Sequence, residues 1–463
     1  MDKYKLTVGL EVHAELSTLT KMFCACKNDA DEKMPNVNIC PICMGQPGTL
    51  PVINKEAVKS VLKVGAAVGG NLADFSEFDR KNYFYPDIPK GYQISQYKYP
   101  LVSGGELAGV KITRVHLEED TGKSTHVGES SLVDFNRAGV PLMELVTEPV
   151  IKSAGEAAAF AKELQLLLQY LGVAEANMEK GEMRVEANIS VSASDELGTK
   201  VEVKNLNSFR SVEKAIEYEV KRQTTLLENQ EKVAQETRGW DEGKQATFSQ
   251  RSKEDSHDYR YFPDPDLPKL KLSKHEEFSL NALLREMNET PAKKRERYLK
   301  YGLKKADIEF YIYNTSFSHL FEDASVSLDE KDFQLLSNYI VTDLAALGEK
   351  SKQISGANLA ELITMISQNL LSSRAAKDLI PQMALNNESP KIIAEREGLL
   401  QKSDEASIRS IVDAIISENG AVVSEYKAGK VSALQFLVGQ GMKASKGSAN
   451  PEVLKQMLSD QLS

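Results

Sequence analysis

The sequence predicts an α+β protein, and three observations carry the prediction. Alternating polar and apolar runs, the mark of half-buried strands, are concentrated before residue 291. Helical stretches fall among them without regular strand–helix–strand spacing, which speaks against a doubly wound parallel sheet. After Pro291 the chain becomes rich in Leu, Ala, Lys and Glu, with helical periodicity and few Gly or Pro.

The strand signals, in order, are Thr7 to Leu16, Val110 to Leu117, Met183 to Ser192 and Thr199 to Val203. A helix opens at Asn54, with Ala57, Val58, Val61, Leu62 and Ala66 on one side. A second runs from Ser153 to Gly172. Ser153 and Glu156 make the S-x-x-E start signal, and Gly172 suits the stop. A third begins near Ser208 and continues past Arg222. The expected division is a mixed domain over 1–294, a helical domain over 295–395 and a small helical tail domain over 396–463, with breaks near Asn386–Pro390 and Lys427–Gly429.

Composition narrows the class. The 463 residues are 41% hydrophobic and 27% charged, the balance of a globular protein. Mean hydropathy is −0.36, and no run of about 18 apolar residues is present. The first residues, MDKYKLTVGLEVHAEL, alternate instead of forming the apolar core of a secretory signal. A cytoplasmic address without membrane association is expected. The net charge of −10 excludes a protein that coats nucleic acid non-specifically, so any RNA contact must be local.

All four cysteines lie between Cys24 and Cys43, spaced Cys24-x-Cys26 and Cys40-Pro-x-Cys43. Two such knuckles can surround one tetrahedral Zn²⁺, in a closed structural site with no open position for chemistry. Free or redox-active cysteines are the alternative.

In a strand, residues i and i+2 share a face. That rule puts Glu11, His13 and Glu15 on one side of the first strand, Arg184, Glu186 and Asn188 on one side of another, and Glu202 with Lys204 on a third. A fourth segment, Arg114 to Asp120, contains His116 and ends in three consecutive acids. A solvated outer face is the commoner fate of any single segment of this kind. Together they supply carboxylates, imidazole, amide and cations, a mixture that suits hard divalent metal beside phosphate. Thr121-Gly122-Lys123-Ser124 imitates the end of a phosphate-binding loop, but Leu117 stands where that loop needs glycine. Lys123 remains available to a phosphate. Two aromatic, proline-punctuated stretches, 80–87 and 258–265, carry the mixture of rings and cations that stacks on bases or packs an irregular loop.

The longer words VGLEVHAEL, FDRKNYFYPDIPKGYQISQ, HLEEDTGKSTH, LVDFNRAGVPLMELVTEP, RVEANISV, KNLNSF and DYRYFPDPDLP recur in order over residues 6–270, and FLVGQGMKASKGSANP covers 436–451. In these the chain resembles the B subunits of the glutamyl/aspartyl-tRNA amidotransferases. The resemblance implies a cradle-shaped catalytic domain built on an antiparallel or mixed sheet, then a helical domain and a tail domain that grips tRNA. It implies ATP-dependent phosphorylation of the side-chain carboxylate of Glu on tRNA(Gln) or Asp on tRNA(Asn). Ammonia from a partner amidase, the A subunit, then displaces the phosphate, and the small C subunit completes the heterotrimer. It places Mg²⁺ on Glu11, His13, Glu119 and Glu202, with Glu186 close by; the cysteine set is present in some members and absent in others, which supports a structural role for it.

Chemistry adds further roles: Glu186 and Asn188 orient water or substrate, Lys204 and Lys123 neutralise phosphate, and Asn205 joins Asn188 and Lys123 on the nucleotide side. Lys427, Lys430, Lys443 and Lys446 lie in a stretch without acids, a local patch for RNA backbone or an ordinary solvated helix face. Two positions depart from the family pattern: Val150 follows Thr-Glu-Pro where Asp is frequent, and Ser448 stands where Lys is usual. A non-catalytic RNA scaffold is the rival reading, and the acidity of the strand face counts against it.

Overall fold

The computed structural model describes residues 3–29, 31–252, 259–401, 405–445 and 449–462. Asp258, Lys446 and Ser448 lie outside the described residues. The chain forms two compact units, Met1–Pro291 and Ala292–Ser463.

The first unit is organised by a mixed sheet of ten strands. Its principal members are β1 (Lys5–Glu15), β2 (Val110–Glu119), β3 (Pro141–Thr147), β4 (Met183–Ser192), β5 (Val201–Leu206), β6 (Glu236–Asp241) and β7 (Ala246–Ser252). They lie side by side in the order β7-β6-β5-β4-β1-β3-β2, and short strands at Val102–Ser103 and Asn71–Leu72 continue the sheet past β2. All of these pairings are antiparallel except β5 with β6.

The α+β expectation holds, and β1, β2 and β4 fall on the runs that predicted them. β3 is the strand that periodicity did not reveal. Its sequence, PLMELVT, is buried almost throughout and so lacks alternation.

Three helices, α1 (Lys55–Ala67), α2 (Ala154–Tyr170) and α3 (Phe209–Glu228), cover the apolar side of the sheet. Val8, Leu10, Val12 and Ala14 of β1 are fully buried in one cluster with Val61 of α1, Leu164 of α2 and Val212 of α3. Each helix starts where a side chain can take up an orphan backbone N–H: Asn54, Ser153 and Ser208 cap α1, α2 and α3. Ser153 accepts from Glu156 N at 3.1 Å, while the Glu156 carboxylate reaches back one residue further, to Lys152 N at 2.9 Å. With one side of the sheet covered by helices, most of the polar residues of the same strands face the other way.

The second unit is helical. Its C-terminal helices, Glu405–Glu418, Ser432–Ala444 and Pro451–Leu462, form a hydrophobic cluster of their own around Val412, Leu437, Leu454 and Leu458.

Candidate active site

Strand register decides which polar side chains meet. His13 stands opposite Glu144 on one side and Arg184 on the other, and Glu144 stands opposite His116. Glu11 is paired with Glu186, and Asn188 with both Gly9 and Glu202. One polar face therefore extends over β2, β3, β1, β4 and β5.

Glu144 is its centre. Its Oε2 lies 3.2 Å from His116 Nε2 and 3.5 Å from His13 Nε2, and its Oε1 is 3.6 Å from Arg114. His13 Nε2 also lies 3.6 Å from Glu118 and 3.8 Å from Glu11. Glu186 accepts from Lys204 at 2.8 Å, and Lys204 reaches Glu202 at 3.7 Å. The second Glu202 oxygen accepts from Thr237 at 2.8 Å.

This density of charge shows in the protonation equilibria. Burial and the neighbouring Glu144 charge push Glu11 up to about 7. Burial opposes a charge on His13, but the Glu144 hydrogen bond and the Glu144, Glu118 and Glu186 charges outweigh it and raise it to about 9. Burial also works against Glu144, yet His116 and His13 hold it well below the carboxylate range. Further along the same face, burial and Asp120 push Glu15 up to about 8, while Arg184 donates to Asp120 at 3.0 Å.

A solvated outer face does not look like this. Glu118, Glu144 and His116 are buried. Glu118 Oε2, Arg114 Nε, His116 Nδ1 and Asn188 Oδ1 are buried with no hydrogen-bond partner among the described residues. Orphans of this kind cost free energy unless something else satisfies them. Glu11, His13 and Glu144 can each bring a ligand atom within 4.8 Å of the others, and so can His116, Glu118 and Glu144. Carboxylates with imidazole are a donor set for a divalent cation, so the residues fit a metal.

The structure sorts the residues that sequence reasoning had named. Glu11, His13, Glu186, Asn188, Glu202 and Lys204 share the face, with Glu202 at the Lys204 end and not beside His13. Glu119 is not brought to the cluster. It ion-pairs with Lys90 and accepts from Ile94 N at 2.9 Å. The reason is the pleat: Glu118 follows His116 by two residues and shares its face, whereas Glu119 points away. Lys123 sits on an exposed hairpin strand, Lys123–Val127, opposite Asp134. Asn205 is exposed in the left-handed region, φ 63°, beside the irregularity where β5 pairs with β4. Glu144 is the residue sequence reasoning missed, its one signal a single acid in the apolar run PLMELVT. His116 and Glu118 lie in the fourth polar segment, but sequence reasoning gave them no role.

The four cysteine sulfurs lie within 4.8 Å of one another. The Cys24 hydrogen bond, with Lys21 assisting, lowers Cys43 to about 5, and Cys43 Sγ accepts from Cys40 N at 3.1 Å. The set fits a tetrahedral zinc. In the tail, Lys427 and Lys443 end their helices, and Lys430 donates to Glu425 at 2.8 Å, an acid just outside the acid-free stretch.

Buried acids and a buried imidazole beside half-buried cations, several with unsatisfied atoms, mounted on a sheet whose other side is covered by helices, define the catalytic domain of an enzyme. Residues 6–277 match the family described as GatB/GatE catalytic domain, and residues 319–462 match the GatB domain. The aspartyl/glutamyl-tRNA(Asn/Gln) amidotransferase B subunit of Caldanaerobacter subterraneus subsp. tengcongensis is 43% identical over 479 residues, covering 100% of both chains. Its counterpart in Crocosphaera subtropica is 42% identical over 485 residues, covering 98% of this chain and 97% of that one. The Persephonella marina counterpart is 42% identical over 477 residues, with 99% and 100% covered. The chain belongs to this family of tRNA amidotransferase B subunits.

Proposed function

We propose that the chain activates, with ATP, the side-chain carboxylate of glutamate esterified to tRNA(Gln) or aspartate esterified to tRNA(Asn), and supports its conversion to the amide. Ammonia comes from glutamine hydrolysed by a partner amidase, the A subunit, and the small C subunit completes a heterotrimer. The names of the relatives, which give the tRNAs and the amidotransferase reaction, support this reading.

The observation that carries it is the Glu11–His13–Glu144 cluster beside the Glu186–Lys204–Glu202 bridge. A carboxylate is a poor electrophile until an oxygen is made a leaving group, and an acyl phosphate supplies one. Glu11, His13 and Glu144, with Glu118 at 3.6 Å from His13, would hold Mg²⁺, which neutralises charge on the transferred phosphoryl group. Lys204, tethered between Glu186 and Glu202, faces the same space and offsets phosphate charge. Asn188 offers its unpartnered Oδ1 to a substrate donor. Burial of Glu118 and Glu144 keeps water from their end of the site, where it would hydrolyse an acyl phosphate.

The cysteines would hold a structural Zn²⁺. The lysines of the tail, within 396–463, would meet tRNA backbone. No helix among the described residues is long and apolar enough to cross a membrane, and the cytoplasm, where tRNAs are charged, is the proposed place of action.

The test is ADP formation by the co-purified heterotrimer given Glu-tRNA(Gln), Asp-tRNA(Asn) or the free amino acids. One or both aminoacyl-tRNAs should stimulate it and the free amino acids should not. Equal turnover in all cases removes the reading.

A further inference from the structure

The two aromatic stretches meet beside the active-site face. The strand Asp79–Asn82 pairs with Tyr92–Ser95 and with Phe262–Pro263, which joins sequences about 180 residues apart in one small sheet. The Asn82 side chain fixes the joint by donating to the Tyr259 and Arg260 carbonyls at 3.1 and 2.9 Å. The rings then gather around Lys81. Its Nζ lies 5.3 Å from the Tyr259 ring centre and 5.9 Å from that of Tyr83, and those two rings are 5.7 Å apart. Tyr261 continues the surface 6.0 Å from Tyr259, and Tyr97 lies flat on Tyr261 at 4.4 Å and 11°.

Lys81 is also where this surface touches the catalytic face, 3.9 Å from Glu118 Oε2. Rings that merely fill a core are buried. Tyr97, at the end of the stack, is 61% exposed, so one aromatic face remains presented to a planar ligand.

We infer that this platform stacks an adenine base, that of the 3′-terminal adenosine of the aminoacyl-tRNA. The inference rests on the ligase reading. There the carboxylate to be activated belongs to an amino acid esterified to the terminal ribose, a handful of bonds of about 1.5 Å from it. A carboxylate held at the Glu118–Glu144 end therefore carries its adenine into the neighbourhood of these rings. The Tyr259 ring centre stands no farther from Glu118 than the 3.9 and 5.3 Å spans laid end to end. The adenine of ATP is the other source of the same chemistry. Two further phosphates and a ribose separate it from the terminal phosphoryl group, so it suits a more distant pocket. Stacking is tolerant of sequence, as contact with a nucleotide common to all tRNAs requires.

The experiment uses the intact heterotrimer with Tyr97→Ala, and Tyr97→Phe as the conservative control. Loss of one base–ring stack should raise KM for aminoacyl-tRNA about 5- to 150-fold. KM for ATP should stay unchanged, and Tyr97→Phe should behave as wild type. A rise confined to KM for ATP assigns the platform to the nucleotide and overturns the inference, as does no change in either constant. Binding gives a readout independent of turnover. A tRNA with 2-aminopurine at its 3′ end should be quenched on binding wild type and Tyr97→Phe but not Tyr97→Ala, and equal quenching in all three refutes stacking. Absence of tRNA-dependent ADP formation in the wild type would instead strike the ligase reading, so the two failures are distinguishable.

Discussion

Replacing Glu144 with glutamine keeps the outline of the side chain and removes one buried negative charge, which makes it the sharpest probe of the cluster. The carboxylate stands 3.2 Å from His116 Nε2, 3.5 Å from His13 Nε2 and 3.6 Å from Arg114. A unit charge at about 4 Å is worth about 4 kcal/mol per unit of opposite charge at an effective dielectric near 20. Loss of the proton from His13, which the Glu144 charge helps to hold, and the remaining amide dipole return part of this. The expected net effect is about 3–4 kcal/mol, a fall of about 10²- to 10³-fold in apparent Mg²⁺ affinity. The same change removes a partner from buried His116 and from half-buried Arg114 and His13. Breaking such a pair costs about 3–5 kcal/mol of stability, with the low end expected because Glu11 and Glu118 remain near His13. The assay is tRNA-dependent ADP formation by the heterotrimer over a magnesium titration, with thermal unfolding in parallel. Glu119→Gln serves as the contrast, since Glu119 faces Lys90, and it should leave the magnesium dependence close to wild type. A Glu144→Gln enzyme with wild-type magnesium dependence, or a Glu119→Gln enzyme that loses it instead, refutes the assignment.

Three more outcomes follow from particular contacts. Lys204→Met cuts the bridge from Glu186 to Glu202 and should lower kcat about 10²- to 10³-fold with little change in KM for aminoacyl-tRNA; an unchanged kcat contradicts a phosphate-neutralising role. Metal analysis should find about one zinc per chain and its loss in Cys43→Ser, with earlier unfolding; full zinc occupancy in the variant rejects the four-thiolate site. In the second unit, burial raises Glu322, but the Arg297 hydrogen bond, Lys294 and Tyr298 outweigh it and hold it below its ordinary range. A lowered folded pKa contributes stability that is present at neutral pH and is lost as pH falls through it. Glu322→Gln should therefore cost about 1.5–3 kcal/mol at pH 7 and progressively less in acid, read as converging melting temperatures; a gap independent of pH contradicts it.

Much of the site could be read from spacing. Glu11, His13, Glu186, Asn188, Glu202 and Lys204 alternate with Leu10, Val12, Val185, Ala187, Val201 and Val203, residues that are fully buried on the helix side of the sheet. A period of two fixes the face of each side chain once its strand is known. The same rule, applied to Arg114 through Asp120, singles out His116, Glu118 and Asp120 and leaves Glu119 on the opposite side. The longer motif words identified the family over both ends of the chain. Glu144 escaped because β3 sits between two other strands and is buried on both faces, which erases the alternation that marks a strand.

The sequence by itself determined the class of fold, the family, the cysteine cluster and the polar side of each separate strand, because these depend on local spacing and on words of contiguous residues. Only the tertiary structure decided that β3 lies between β1 and β2, and so that Glu144 stands between His13 and His116. It also decided that Lys81 joins the aromatic sheet to Glu118. Register between strands distant in the chain is set by how the sheet packs against its helices, and no local pattern carries that information.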